Sequence, residues 1–71
     1  MKILITGGCG FVGSNIAVYL KKKNSNLNIH SLDNLSRRGS LLNLRRLKKR
    51  NIKNYNYDIS NYTKVSKLPK Y

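Results

Sequence analysis

The hydrophobic pattern of the chain changes period twice in its first 33 residues, and the same alternation then starts again. Lys2-Ile3-Leu4-Ile5-Thr6 is a short apolar run with β-branched residues that stops at glycines, the pattern of a buried parallel strand. From Phe11 to Lys23 the apolar positions fall four apart, at Val12, Ile16 and Leu20, with Ala17 and Tyr19 beside them. That spacing predicts a helix with this stripe turned to the core. Lys21, Lys22 and Lys23 stand at its end, where cations suit the helix dipole. Asn24-Ser25-Asn26 reads as a turn, and Leu27 to Asp33 as a second strand.

A polar loop, Asn34 to Gly39, leads to a second predicted helix over Ser40 to Arg50, with Leu41, Leu44 and Leu47 on one face and Leu42 adjacent. Ser40 is placed to cap it. The alternation of Tyr55, Tyr57 and Ile59 predicts a third strand. Ser60 is placed to cap a last helix through Tyr62, Val65 and Leu68, which Pro69 stops. Strands that alternate with helices in this way argue for a parallel sheet with crossover helices. The expected fold is α/β: the N-terminal βαβαβ half of a Rossmann, doubly wound parallel sheet, incomplete, with residues 1–71 as the first part of a truncated domain.

The turn between the first strand and the first helix is Thr6-Gly7-Gly8-Cys9-Gly10-Phe11-Val12-Gly13. It satisfies G-x-G-x-x-G through Gly8, Gly10 and Gly13, and G-x-x-G-x-x-G through Gly7, Gly10 and Gly13. The first glycine allows a tight reversal, the middle one lets backbone approach a pyrophosphate, and the last lets the helix pack close to the strand. The helix N-terminus then offers free N–H groups to the phosphates. A P-loop is excluded, because Ser14 follows Gly13 where that motif needs lysine. Asp33 stands 20 residues past Gly13, at the end of the second strand, where a carboxylate can accept hydrogen bonds from ribose hydroxyls. A 2′-phosphate there would meet a like charge, so Asp33 favours NAD over NADP. Arg37 and Arg38 nearby pull the other way.

Across Thr6 to Asn15 and Leu32 to Gly39 the sequence resembles the extended short-chain dehydrogenase/reductase family, and within it the NAD-dependent nucleotide-sugar epimerases and dehydratases. Asp33-Asn34-Leu35-Ser36 resembles the segment these enzymes place around the adenosine, and Asp58-Ile59 the pair they place at the adenine ring. The resemblance implies an isomerase that oxidises a sugar carbinol through NAD and returns the hydride to the opposite face. It implies that Gly7, Gly10 and Gly13 form the cofactor turn and that Phe11 and Val12 supply backbone N–H groups to the pyrophosphate. Asp33 would hold the ribose, Asn34, Ser36 and Arg37 would surround the adenosine phosphate and ribose edge, and Asp58 and Ile59 would contact adenine. It also implies a nucleotide-sugar substrate and a homodimer for the complete protein.

Two departures stand out. Tyr57 precedes Asp58 where the family usually has glycine, which would crowd the adenine pocket. The family's catalytic Tyr-x-x-x-Lys, with its upstream Ser or Thr, belongs to later elements. Tyr19 and Lys23 match that pattern literally but lie on the first helix, two turns or more from its phosphate end, so we assign Tyr19 to the core and Lys23 to solvent. The catalytic set is therefore expected to be missing, and this chain alone to bind cofactor poorly and to catalyse nothing.

Composition narrows the picture. With 71 residues the chain is at most one small domain, and domains of about 60 residues bury only ~60% of the surface they expose unfolded. Cys9 is the sole cysteine, so no internal disulfide forms, and we read it as a small residue filling a variable motif position. No Cys/His cluster suggests zinc. His30 is read as structural. No run is long enough to span a membrane and no secretory signal is evident, so a cytoplasmic protein without a membrane partner is expected.

The net charge of +13, from 15 Lys and Arg against Asp33 and Asp58, admits two readings. An abundance of Lys, Asn, Ile and Tyr is the mark of A/T-rich codons, and this is the reading we take first. A basic surface for nucleic acid or anionic membrane is the other. Tyr55, Tyr57 and Tyr62 beside lysines could stack on bases, although strand alternation explains two of them. A stand-alone nucleotide-binding module is the remaining alternative.

Overall fold

A computed structural model describes residues 2–71, apart from the side chain of Tyr62, whose expected place in the last apolar stripe lies outside the described residues. The order of elements is β1 (Lys2–Thr6), α1 (Phe11–Lys23), β2 (Asn28–Leu32), α2 (Ser40–Lys49), β3 (Lys53–Tyr55) and α3 (Tyr62–Val65). The three strands form one parallel sheet in the order β1-β2-β3. Ile3 pairs with Ile29, Ile5 with Ser31 and Thr6 with Leu32, while Leu32 in turn pairs with Tyr55. This is the βαβαβ architecture that the sequence predicts.

The core lies between the sheet and the two crossover helices. Cys9, Ala17, Val18, Ile29, Leu47 and Ile52 are buried together, and Ile3, Ile5, Leu20, Leu27, Leu35 and Leu44 pack around them. The strand residues in this set alternate, as a sheet with helices on one side requires.

The helix faces differ from the predicted ones. On α1 the buried residues are Ser14, Ala17 and Val18, whereas Val12, Ile16 and Tyr19 are 66%, 47% and 59% exposed. Tyr19 is thus not a core residue. The glycine turn sets the rotation of α1: a Cβ at Gly13 would lie 2.3 Å from the Gly7 carbonyl oxygen. The helix therefore seats its small residues, Gly13, Ser14 and Ala17, against the fold, and Val12 and Ile16 turn outward while Leu20, near its end, packs on the core. On α2 Leu47 is buried and Leu44 half-buried, but Leu41 and Leu42 are exposed.

Element ends also shift. β2 is shorter than Leu27–Asp33 by one residue at each end, and α2 stops at Lys49, with Arg50 as its C-cap. The N-cap of α2 is Gly39, at φ 85°, not Ser40, whose hydroxyl donates to the Arg37 carbonyl. β3 ends at Tyr55, so Tyr57 and Ile59 lie beyond it. The Tyr57 N–H turns back to the Tyr55 carbonyl at 2.9 Å, a three-residue turn that ends the ladder. α3 is a single turn that stops well short of Leu68, and Asn61, not Ser60, accepts the Lys64 N–H at 3.3 Å. The Ser60 hydroxyl is held by Asp58 instead.

Candidate nucleotide-binding site

Parallel strands bring the ends of β1, β2 and β3 to one edge of the sheet, and the glycine turn sits over that edge. Gly7 has φ 69°, a left-handed backbone that glycine adopts without strain, and it makes the reversal after β1. The Gly7 N–H donates to the Leu32 carbonyl at 2.8 Å and the Gly10 N–H to the Gly7 carbonyl at 2.9 Å. The first N–H to find an acceptor inside α1 is that of Ser14, to Gly10 at 3.0 Å. The N–H groups of Phe11, Val12 and Gly13 therefore have no intrahelical acceptor.

Two open clefts of about 410 Å³ each lie over this edge and share Thr6, Gly7, Asp33 and Arg37. One continues over Gly10, Phe11, Val12 and Gly13. The other continues over Asn34, Ser36, Tyr57, Asp58 and Ile59. All eleven residues singled out in the sequence line this groove, which runs from the helix N-terminus across the end of β2 to the segment after β3.

Asp33 is the hinge of the groove. Its Oδ2 accepts the Cys9 N–H at 3.0 Å and its Oδ1 accepts the Leu35 N–H at 2.8 Å. An ionised carboxylate offers roughly four acceptor directions, so each oxygen retains one for a ligand hydroxyl. Leu35 itself has φ 60°, and the carboxylate bond helps hold that backbone in place. Asp58 is exposed; its Oδ1 accepts from the Ser60 hydroxyl and N–H, and its Oδ2 from the Asn34 amide at 3.3 Å. The Ser60 hydroxyl, then the Ser60 N–H, hold its carboxyl below the usual aspartate value.

Tyr57 forms one wall. Its ring stacks on Tyr55 at 6.0 Å, and Lys64 Nζ lies 5.2 Å from its centre. Cys9 is fully buried, and burial first, then the Asp33 charge, push its thiol above the usual value. That is the opposite of an activated nucleophile. His30 lies on β2 away from the groove, with Nδ1 2.5 Å from the Tyr71 hydroxyl, in keeping with a structural role.

Three residues that support the turn escaped the sequence reading. Asn43 on α2 donates to the Cys9 carbonyl at 2.8 Å, so the Cys9 peptide is held on one side by Asn43 and on the other by Asp33. Arg46 reaches from α2 to Asn15 Oδ1 at 2.9 Å. Ser31 packs beneath Gly8. Asn43 and Arg46 lie on a helix with no motif around them, and Ser31 sits in an ordinary strand, so nothing local marks any of the three.

Comparison with known proteins agrees with this fold. The chain is 44% identical over 71 residues to CDP-paratose 2-epimerase of Salmonella typhi, covering 96% of this chain and 20% of that protein. It is 54% identical over 43 residues to dTDP-D-glucose 4,6-dehydratase of Dictyostelium discoideum, covering 61% of this chain and 10% of the relative. The chain thus spans about a fifth or less of the length of these relatives. Among solved structures, UDP-glucuronic acid 4-epimerase from Bacillus cereus in complex with NAD superposes with a TM-score of 0.69 at 26% identity, over 96% of this chain and 24% of the other. The model of the NAD dependent epimerase/dehydratase family matches residues 3–71. The chain belongs to the NAD dependent epimerase/dehydratase family.

Proposed function

We propose that this chain is the N-terminal, cofactor-binding part of an NAD-dependent nucleotide-sugar epimerase, with CDP-paratose 2-epimerase as the activity it fits best. The observation that carries the reading is the continuous groove that joins the free N–H groups of α1 to Asp33 and then to Asp58. A dinucleotide needs those three contacts in that order: donors for phosphate, an acceptor pair for ribose and a polar edge for the base. Phe11, Val12 and Gly13 would meet the pyrophosphate with Gly7 and Gly10 beneath it. Asp33 would hold the ribose, Asn34, Ser36 and Arg37 would flank it, and Asp58 and Ile59 would edge the adenine with Tyr57 as the wall. Bound NAD supplies hydride acceptance from a sugar carbinol and hydride return. The residues of this chain only bind and orient the cofactor, and the catalytic base comes from elsewhere. The choice of CDP-paratose rests on the identity to the Salmonella protein along nearly the whole chain. The same reading carries a cytoplasmic homodimer for the complete protein.

The test is Asp33→Ala in the complete protein, titrated with NAD and with NADP. Loss of hydrogen bonds to a charged group, about 1.5–3 kcal/mol, is expected to weaken NAD binding roughly ten- to hundred-fold. NADP binding should weaken less or improve. An unchanged NAD affinity would overturn the assignment. Turnover of CDP-paratose by the purified 71-residue chain would overturn the division of labour.

A further inference from the structure

The positive charge of this chain is not spread evenly. α1 and α2 both run from the carboxyl edge of the sheet back to its amino edge, because each connects parallel strands. Their C-terminal ends therefore meet side by side, remote from the nucleotide groove. There Lys22, Arg46, Lys49 and Arg50, with Val18, line a cleft of about 180 Å³. The last turns of the two helices also carry Lys21, Lys23 and Lys48, of which Lys21 donates to the Leu27 carbonyl and Lys23 lies over the Tyr19 ring.

Helix C-termini attract cations, but each carries only about −0.5 of a charge. Two of them offset about one of these seven positive charges. No carboxylate offsets the rest: the chain has two acids, Asp33 and Asp58, and both line the nucleotide groove at the opposite edge. Arg46 also lines the cleft, but its guanidinium is committed to neutral oxygens toward the glycine turn, Asn15 Oδ1 at 2.9 Å, Asn43 Oδ1 at 3.3 Å and Ser14 Oγ at 3.4 Å, which leaves Lys22, Lys49 and Arg50 as the cations for a ligand. Codon bias accounts for many lysines, but not for the placing of Lys22, Lys49 and Arg50 on one cleft.

We propose that this cleft is a phosphate-binding site that docks the backbone of a nucleic acid without reading its bases. The size of the cleft sets the ligand. At about 180 Å³ it falls below the roughly 300–1,000 Å³ that hold a whole small molecule, so it takes part of a larger chain, with Lys22, Lys49 and Arg50 each meeting a phosphate of its backbone. The surrounding lysines and the exposed Arg45 then meet the neighbouring phosphates. A bilayer is a poorer match, because the exposed leucines of α2, Leu41 and Leu42, lie at the other end of the helix from the cations. Contacts made only to phosphates position a nucleic acid and carry no sequence information.

The test follows binding of the complete protein to a short labelled duplex by fluorescence anisotropy over a range of salt. Three or four phosphate contacts predict a slope of log K on log salt of roughly −3 to −4. The variant K22Q/K49Q/R50Q is expected to bind at least tenfold more weakly and to lose about 2–3 from that slope. The variant K53Q/K64Q/K67Q removes the same charge from β3 and the segment beyond it, and should change little. Saturating NAD should not displace the duplex. Equal weakening by both triple variants would reduce the effect to net charge and overturn the site. So would displacement by NAD, absence of duplex binding, or binding to phosphatidylserine vesicles or pyrophosphate but not to duplex. Should the first variant fail to fold by circular dichroism, Lys22→Gln alone, with an expected loss of about 1 in slope, decides the question with the NAD competition.

Discussion

Gly8 and Ser31 form a pair that a double-mutant cycle can expose. A Cβ on Gly8 would lie 2.1 Å from Ser31 Oγ, 2.6 Å from Ser31 Cβ and 3.2 Å from the Ile5 carbonyl oxygen. Ser31 is fully buried in the central strand, and its hydroxyl donates to Asn54 Oδ1 at 2.7 Å. The hydroxyl can rotate away, but the Cβ is set by the strand. Gly8→Ala therefore combines overpacking, about 1–3 kcal/mol, with loss of the Asn54 bond, about 1 kcal/mol. A native 71-residue chain has roughly 4–11 kcal/mol in total at about 0.05–0.15 kcal/mol per residue, so this loss is a large fraction. Ser31→Gly alone loses the same hydrogen bond and places glycine in a strand, about 2 kcal/mol together. In the double variant the new methyl group occupies the space that Ser31 vacates. The double variant should be about as stable as Ser31→Gly alone, a favourable coupling of about 2–4 kcal/mol. Urea unfolding followed by circular dichroism measures it. With a slope of about 1 kcal/mol/M, Gly8→Ala should lower the midpoint by about 2–4 M, and the double variant by about 2 M in place of the roughly 4–6 M that simple addition gives. If the two losses simply add, the packing of the glycine turn on β2 described above is wrong.

Two further outcomes follow from the titrating groups. Cys9 is buried and its thiol is pushed up by burial and by Asp33, so it should react with a thiol reagent at neutral pH only slowly, and rapidly once urea unfolds the chain; fast reaction in native buffer would refute the burial. Burial, then Lys53 and Lys2, lower the His30 value below 6.5, so the unfolded chain binds the extra proton first and stability should fall as pH drops below about 6.5, levelling off under the depressed folded value. Asp58, held below 3.8 by Ser60 and Asn34, adds stability above 3.8 that is lost as pH falls through its lowered folded value. Urea midpoints across this range should show both steps, and His30→Gln should remove only the upper one; a midpoint that rises on acidification through 6.5 would contradict the assignment.

The βαβαβ order, the glycine turn and Asp33 were legible because their signals are local. A strand that stops at glycines, a helix period that follows and a carboxylate one element later need no knowledge of distant residues. The failures cluster where the chain must choose among local possibilities. Val12 and Ile16 made a plausible buried stripe with Leu20 on α1, yet only Leu20 packs on the core, and close approach of the helix to the turn buries Ser14, Ala17 and Val18. Tyr57 and Ile59 continued an alternating pattern, but the ladder ends at Tyr55, where the Tyr57 N–H turns back. Ser40 and Ser60 looked like caps, while Gly39 and Asn61 hold those places.

The sequence by itself determined the fold class, the glycine turn and Asp33, because hydrophobic period and glycine spacing act over a few residues at a time, while the family and the other groove residues were legible through resemblance to known proteins. Only the tertiary structure decided which face of each helix is buried, that Asn43 and Asp33 together hold the Cys9 peptide, and that the cations of two separate helices converge on one cleft. Those outcomes depend on contacts between residues 24 to 34 apart in the chain, and such contacts exist only after the parallel sheet has brought its crossover helices side by side.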